Sequence, residues 1–447
     1  MRRWSELARG SPIGGRAIRD EEALRIRRVT ASHRQPRQLT RKDEHTELDL
    51  EVARWLVTDD GLAAIRQVTR SLDDGADELA VLTERRGHAE DPARTRAVVS
   101  AAAARRRARR RWPDADRLVF TRESLEQASD PDVSRWRAAR FVGSEVIDLC
   151  CGVGGDAIAL ARVGARVTAV DLDPARLILL AHNAACADVE VVAVAGEALA
   201  VPIPSGALVH ADPARRRSGR RIRRLTDHVP PVDALFAAHG GARGMAVVLG
   251  PGVDRDDPAL PGDIEVEYLQ LGPDLVEAVV TTGALRRPGA VATATLLPAG
   301  VQLTRTGPRP AKLAVAPIGD LLVEVAPAAI RARLHDDIGG SVGARRLALR
   351  RALLSCSDRP PASPWYTVRQ VVTLLAARPK AVRRWLRTAD VGPLELVLHG
   401  VDLDPEAWWR ELGRPPRGPG GARIELVRRD QDTVAVITRP VDPDPTV

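Results

Sequence analysis

Two carboxylates flanking a glycine turn are the residues of this chain best placed to do chemistry. Residues 146–174 read VIDLCCGVGGDAIALARVGARVTAVDLDP. An apolar run carries Asp148, a turn holds Gly152, Gly154 and Gly155, a helix-like stretch follows, and a second apolar run stops on Asp171. Strand, glycine turn, helix and strand-ending acid make a Rossmann-like nucleotide site. The turn needs glycine because a side chain would keep the backbone off a ligand and because glycine takes positive φ without strain. Asp171 stands about 20 residues after the first glycine, where a carboxylate accepts hydrogen bonds from ribose hydroxyls. Asp173 continues that loop, and Pro174 starts the next helix. Asp156 opens the first helix, either as a cofactor contact or as a partner for the helix dipole.

The ligand is narrowed by two departures from the dinucleotide pattern. Asp148 sits in the strand just before the turn, and the glycines are spaced CGVGG rather than G-x-G-x-x-G. An acid there repels a pyrophosphate but suits a ligand carrying an amino group and a sulfonium charge. That favours S-adenosylmethionine, with Asp148, Cys150, Gly152, Gly154, Gly155, Asp156, Asp171 and Asp173 as candidate cofactor residues. After a third apolar strand at 189–195, Glu197 occupies the loop where an acid can hold the adenine amino group. Further on, ALVHADPAR at 207–215 reads as a short buried strand ending in Asp212 and Pro213.

These motifs carry a family resemblance. The segment around Asp148 resembles motif I of the class I S-adenosylmethionine-dependent methyltransferases, whose fold is a seven-stranded sheet flanked by helices. DLCCGVGGD is most similar to RNA cap trimethylguanosine synthases and to the actinobacterial-type methyltransferases with a C-terminal THUMP-like domain. In amino-methylating members motif IV is often [D/N]-P-P-[Y/F/W], and its acid and first proline carbonyl orient the target amine. Asp212 and Pro213 match, whereas Ala214 and Arg215 depart from the pattern. A guanidinium can stack on a base as an aromatic does, and DPAR followed by more arginine resembles the THUMP-like group. The resemblance implies Asp212, Pro213 and Arg215 as the catalytic set, with Arg215 and Arg216 as substrate contacts.

Composition constrains the partners. The net charge is +8, which suits an anionic partner such as nucleic acid. However, lysine occurs only at Lys42, Lys312 and Lys380, and an arginine- and alanine-rich chain is also what a GC-rich coding sequence produces. The cysteines Cys150, Cys151, Cys186 and Cys356 lack C-x-x-C spacing and a histidine cluster, so no zinc site is expected. Pyrimidine C5 methylation would need a thiol after motif IV. Residues 249–252, LGPG, supply none. Free thiols, no signal peptide and no long apolar run lead us to expect a cytoplasmic protein with no membrane segment.

Around the motifs, the expected architecture is α/β with appended domains. Residues 1–48 are polar and arginine-rich and read as a flexible basic extension. Residues 49–140 are helical: Val52, Leu56, Leu62, Ile65 and Val68 recur at spacings of three and four. Within them AAAARRRARRR at 101–111 reads as a solvated surface or an RNA-contacting face, and Thr121 with Ser124 starts a linking helix. A Rossmann-like class I domain spans 141–330, its last three strands forming an antiparallel edge. RRRSGRRIRR at 215–224 would border the substrate mouth, where its charge could neutralise flanking phosphates. A linker covers 331–363. A small α+β module over 364–440, with a βαβαββ run, resembles the THUMP-like domain, and Trp408 and Trp409 in it could stack on bases.

The implied function is methyl transfer from S-adenosylmethionine to a nucleotide in RNA, tRNA or rRNA. Two alternatives compete with it. One is an RNA-binding protein whose methyltransferase fold no longer catalyses. The other is an enzyme acting on a small molecule or a protein.

Overall fold

The computed structural model describes residues 27–28, 48–88, 91–217, 220–348, 352–389, 391–392, 394–413, 421–429 and 432–441. These fall into two compact units. The first holds 1–272 with 276–288 and 296–301, and the second holds 273–275, 289–295 and 302–447.

The first unit begins with helices whose starts are written in the sequence. In α1 (Leu50–Leu56), α2 (Asp59–Asp73) and α4 (Pro92–Ala108) the side chains of Asp49, Thr58 and Asp91 cap the first free N–H groups. Between the last two lies α3 (Glu78–His88). The buried face of α4 is mostly alanine, Ala97, Ala101 to Ala104 and Ala108, and such small side chains allow close helix packing. Thr121 and Ser124 form a reciprocal capping box at α5 (Arg122–Gln127), as their spacing suggests. Then comes α6 (Pro131–Ala138). The arginine run at 101–111 is partly engaged within the chain. Arg105 is buried and donates to Leu118 O, Arg106 and Arg109 pair with Asp73, and Arg109 also reaches Asp116. Arg107 and Arg110 remain exposed.

The sheet of this unit contains β1 (Arg27–Arg28), β2 (Glu145–Leu149), β3 (Arg166–Asp171), β4 (Val191–Ala195), β5 (Leu208–Ala211), β8 (Gly244–Leu249), β9 (Glu265–Leu271) and β10 (Asp274–Thr281). Between β5 and β8 a separate ribbon pairs β6 (Arg216–Arg217) with β7 (Arg220–Arg221). The sheet order is β1-β4-β3-β2-β5-β8-β10-β9. Strands β4, β3, β2, β5 and β8 run parallel, and β10 is antiparallel to β8. Apart from the two-residue β1, these seven strands, parallel at the centre with β10 antiparallel, follow the class I methyltransferase pattern within a sheet that holds ten strands in all. The crossovers are α7 (Gly155–Arg162), α8 (Pro174–Cys186) and α9 (Val232–His239). Strand order reverses on either side of β2, so the crevice for a ligand opens at the carboxyl ends of β2 and β5. Residues 27–28 pair with β4, a strand not expected within the 1–48 extension; most of that segment lies outside the described residues.

The second unit departs from the expected boundaries. The strands β11 (Ala290–Leu297) and β12 (Val301–Thr306) come first in sequence. The region 331–363, expected as a linker, instead contains α11 (His335–Ser341), β14 (Arg345–Arg346) and β15 (Leu354–Cys356), after β13 (Leu321–Val325) and α10 (Pro327–Arg331). The boundary expected at 330 therefore falls inside this unit. The βαβαββ run is present as β16 (Tyr366–Ala376), α12 (Pro379–Leu386), β17 (Leu394–His399), α13 (Pro405–Leu412), β18 (Ala422–Arg428) and β19 (Thr433–Pro440). Its sheet continues through β13 and β15 to β14, in the order β14-β15-β13-β16-β19-β18-β17. Trp408 is buried and meets Trp409 edge to face at 6.0 Å, so Trp408 belongs to the core.

Candidate active site

The turn after β2 takes left-handed backbone at Cys150 (φ 61°), Gly152 (φ 55°) and Gly154 (φ 93°). At Gly154 a Cβ would lie 2.8 Å from Leu180 Cγ, so α8 packs directly on the turn. A Cβ on Gly152 would meet nothing within 4 Å, leaving its outer face free for a ligand. Gly155 opens α7, with Trp112 3.6 Å from where its Cβ would be. Asn183 of α8 fixes the turn from behind. It accepts from Val119 N–H at 2.8 Å and donates to Val119 O and Val153 O, both at 3.1 Å.

Asp171 ends β3 only 7% exposed. Its carboxylate accepts the N–H groups of Gly152 and Asp173, both at 2.9 Å, and its remaining lone pairs are available to ribose hydroxyls. Asp173 serves α8: its carboxylate accepts from Ala175 N–H at 2.9 Å and caps the helix. Burial moves the Asp173 carboxyl above its ordinary range. Glu197 lies exposed in the loop after β4.

Asp148 and His210 face each other across the parallel β2–β5 pair. Each is 1% exposed, and His210 Nδ1 lies 2.7 Å from Asp148 Oδ1. Asp148 Oδ2 and His210 Nε2 are buried with no hydrogen-bond partner among the described residues. Burial pushes the Asp148 carboxyl up, although His210 pulls the other way. On the histidine burial acts downward, but Asp148 outweighs it and leaves the imidazole above its ordinary value. His210 was not among the residues expected from sequence. The available signal was its place two residues before Asp212, in a strand that pairs with the one carrying Asp148.

Asp156 is engaged elsewhere. Arg137 of α6, buried, pairs with both Asp156 and Glu277 and donates to Ser129 Oγ at 2.7 Å. Burial acts to raise the Asp156 carboxyl, but Arg137 holds it below its ordinary value. Its carboxylate therefore joins helices and sheet, which favours a structural part over a cofactor contact.

Motif IV follows β5. Asp212 N–H donates to Leu149 O at 3.2 Å, which sets Asp212 level with the end of β2. Its half-buried carboxylate has no hydrogen bond among the described residues, and burial pushes its pKa up to about 6 against the pull of Arg215. Pro213 is buried and Arg215 half-buried. Ala214 exchanges backbone hydrogen bonds with Val229 at 2.9 and 3.2 Å. This brings in His228, a second residue not anticipated, buried and held below its ordinary value by burial and by Arg215. The side chain of Arg216 lies outside the described residues. Burial and the charges of Asp171, Asp212 and Asp148 all push the Cys150 thiol well up. Three of the expected acids, Asp148, Asp171 and Asp212, thus converge on the turn, and the thiol beside them stays protonated and unreactive.

No helix among the described residues is long and apolar enough to cross a membrane. In the second unit Glu324, His399 and Glu425 place potential ligand atoms within 4.8 Å of one another. Arg423, 2.8 Å from Glu324 and 3.7 Å from Glu425, already supplies the positive charge that a cation would bring.

Residues 143–211 match the RNA cap guanine-N2 methyltransferase family. Uncharacterized S-adenosylmethionine-dependent methyltransferases from two strains of Mycobacterium tuberculosis, CDC 1551 and H37Rv, are each 32% identical over 295 residues, covering 66% of this chain and 80% of theirs. A crystal structure described as a methyltransferase from Porphyromonas gingivalis W83 superposes with a TM-score of 0.66 at 18% identity, over 85% of this chain and 98% of that one.

Proposed function

Because the chain belongs to the S-adenosylmethionine-dependent methyltransferases, we propose that it methylates a nucleotide in cytoplasmic RNA, tRNA or rRNA, at a nitrogen of the base. The observation that carries this reading is the position of Asp212. Its carboxylate, without a hydrogen-bond partner among the described residues, follows β5 level with the end of β2, four residues before the ribbon of β6 and β7 begins in the chain. The guanine-N2 family match supports a base amine as acceptor. It ends at residue 211, one short of Asp212, so its support is strongest for the cofactor half.

The residues present fit S-adenosylmethionine. Asp148 Oδ2 is an unpartnered buried acceptor, Gly152 leaves an open face, and Asp171 is held by two backbone N–H groups. When bound, the cofactor supplies a methyl group on a good leaving group, so alignment provides most of the catalysis. In our reading Asp148 accepts from the ammonium, Asp171 from the ribose hydroxyls and Glu197 from the adenine amine. The Asp212 carboxylate and the Pro213 carbonyl accept the N–H groups of the target amine and direct its lone pair. Arg215 stacks on or steadies the base, and Arg216 holds a flanking phosphate. With a pKa of about 6, Asp212 is ionised at neutral pH and able to take the proton that the methylated nitrogen releases.

Calorimetry and turnover separate these roles. Asp171→Ala is expected to abolish binding of S-adenosylhomocysteine, while Asp212→Ala binds normally and does not turn over. Equal loss of binding in both would defeat the division. Mass spectrometry of nucleosides from a deletion strain and its parent tests the acceptor, and an unchanged set of modified nucleosides would refute an RNA target. Ala214 and Arg215, standing where amine methyltransferases often carry proline and an aromatic, favour the second reading of a small-molecule or protein acceptor. That reading gains if the protein shows no RNA affinity at low salt.

A further inference from the structure

The Asp148–His210 pair is more than a support for the turn. An isolated carboxylate taken out of water is costly unless it is compensated. Here each residue is 1% exposed and one hydrogen bond of 2.7 Å joins them. With only the Nδ1–H of a neutral imidazole between them, an ionised Asp148 leaves the pair with one uncompensated negative charge. One further proton, on His210 Nε2 or Asp148 Oδ2, makes the pair neutral, and both of those atoms are buried without a partner among the described residues.

The surroundings push the same way. From α6 comes Arg137, but it is shared by Asp156 of α7 and Glu277 of β10, so that triad carries one net negative charge. The adjoining thiols of Cys150 and Cys151 stay neutral, pushed well up by burial. Phe141 contributes only an aromatic edge, 6.1 Å from the imidazole.

We propose that the Asp148–His210 pair holds this one further proton in the free protein, beyond the Nδ1–H it shares, and releases it when the ammonium of S-adenosylmethionine docks on Asp148 Oδ2. The ammonium brings the positive charge that the proton had supplied. Asp148 then stays ionised, His210 stays neutral with its Nδ1–H donated to Oδ1, and the proton goes to solvent. No bond within the cofactor forms or breaks. His210 acts here as a positioning residue, orienting the free oxygen of Asp148 and setting how tightly the pair keeps its proton. Cofactor affinity is thereby coupled to pH.

This rests on the reading of Asp148 as the ammonium's partner, and the test separates the two. The full chain is titrated with S-adenosylhomocysteine by calorimetry between about pH 5.5 and 7.0, below the range of α-amino groups, in two buffers of different ionisation enthalpy. We expect release approaching one proton at low pH, and affinity rising up to about tenfold per pH unit until the pair is deprotonated. Methylthioadenosine, which lacks the amino-acid portion, should bind without that release. Asp212, with a pKa of about 6, titrates in the same window, so the release must also persist in Asp212→Asn. His210→Asn keeps a donor for Oδ1 but removes the Nε2 site of the further proton, leaving only Asp148 to hold it, and should move the coupling to lower pH by about one unit or more. Release that is absent in the wild type, or unchanged in His210→Asn, overturns the proposal. If Asp148→Asn, shown to be folded by its binding of methylthioadenosine, also binds S-adenosylhomocysteine as the wild type does, the assignment of Asp148 itself fails.

Discussion

Cys150 and Gly154 show how tightly single residues shape the cofactor turn. Both have left-handed backbone, and Gly154 has in addition no room for a methyl group beside Leu180. Gly154→Ala should therefore lose about 1–3 kcal/mol of stability from backbone strain alone, read by thermal or denaturant unfolding, and should weaken cofactor binding. At Cys150 the expected outcome divides by side chain. Cys150→Gly relieves the strained conformation and should keep both stability and cofactor affinity, while the β-branched Cys150→Val should be clearly destabilised. Asp212 sets a pH dependence. Its carboxyl is raised from 3.8 to about 6, so the folded chain holds that proton more tightly than the unfolded one. The resulting stabilisation is complete below the ordinary value and is lost as pH rises to about 6. Methyl transfer in single turnovers should do the opposite and rise through pH 6 as the acceptor form appears. A flat limb across that range would argue against its role. The places of Asp148 and Asp171 in strands on either side of the glycine turn were legible in sequence because their spacing is local. The contacts of Asp156 and Asp173 were not, because a carboxylate does not declare whether it will cap a helix or meet an arginine. His210 was hidden because its partner is 62 residues away, across a strand pair.

At the level of elements, Arg137 joins α6, α7 and β10 through Asp156 and Glu277. Removing one member of a buried ionic cluster leaves uncompensated charge, so Arg137→Met should cost about 3–5 kcal/mol, measured by denaturant unfolding. Loss of under about 1 kcal/mol would place the pair in a more solvated setting than its burial implies. The parallel strands and their crossover helices were readable because each combines an apolar run with a turn signal. The span 331–363 was misread for the converse reason. Its elements are two to seven residues long, too short to show a period. The strand β15 is defined by pairing with β13, some thirty residues earlier in the chain. The end of that span, RPPAS at 359–363, has the proline-rich composition of a linker, yet it lies within a single sheet-bearing unit.

For the molecule as a whole, charge is the property with a measurable consequence. The net charge is +8, and among the arginines Arg106, Arg109 and Arg137 already pair with carboxylates of the chain. If three or four arginines nonetheless reach phosphates, RNA affinity should fall roughly 20- to 50-fold between about 50 and 200 mM salt. A salt-independent affinity would mean that the arginine ribbon does not contact the backbone of an RNA. Asn183 bears on how the chain can be cut. Its one amide is saturated by Val119 on one side and Val153 on the other. An excised catalytic fragment beginning near residue 141 would leave that amide half unmet and strip the alanine-rich α4 from a core it shares with Val153, Ala175 and Ile178. The helices before the Rossmann sheet are thus a load-sharing wall of the cofactor pocket, and trimming them should cost the pocket its shape before any catalytic residue is touched.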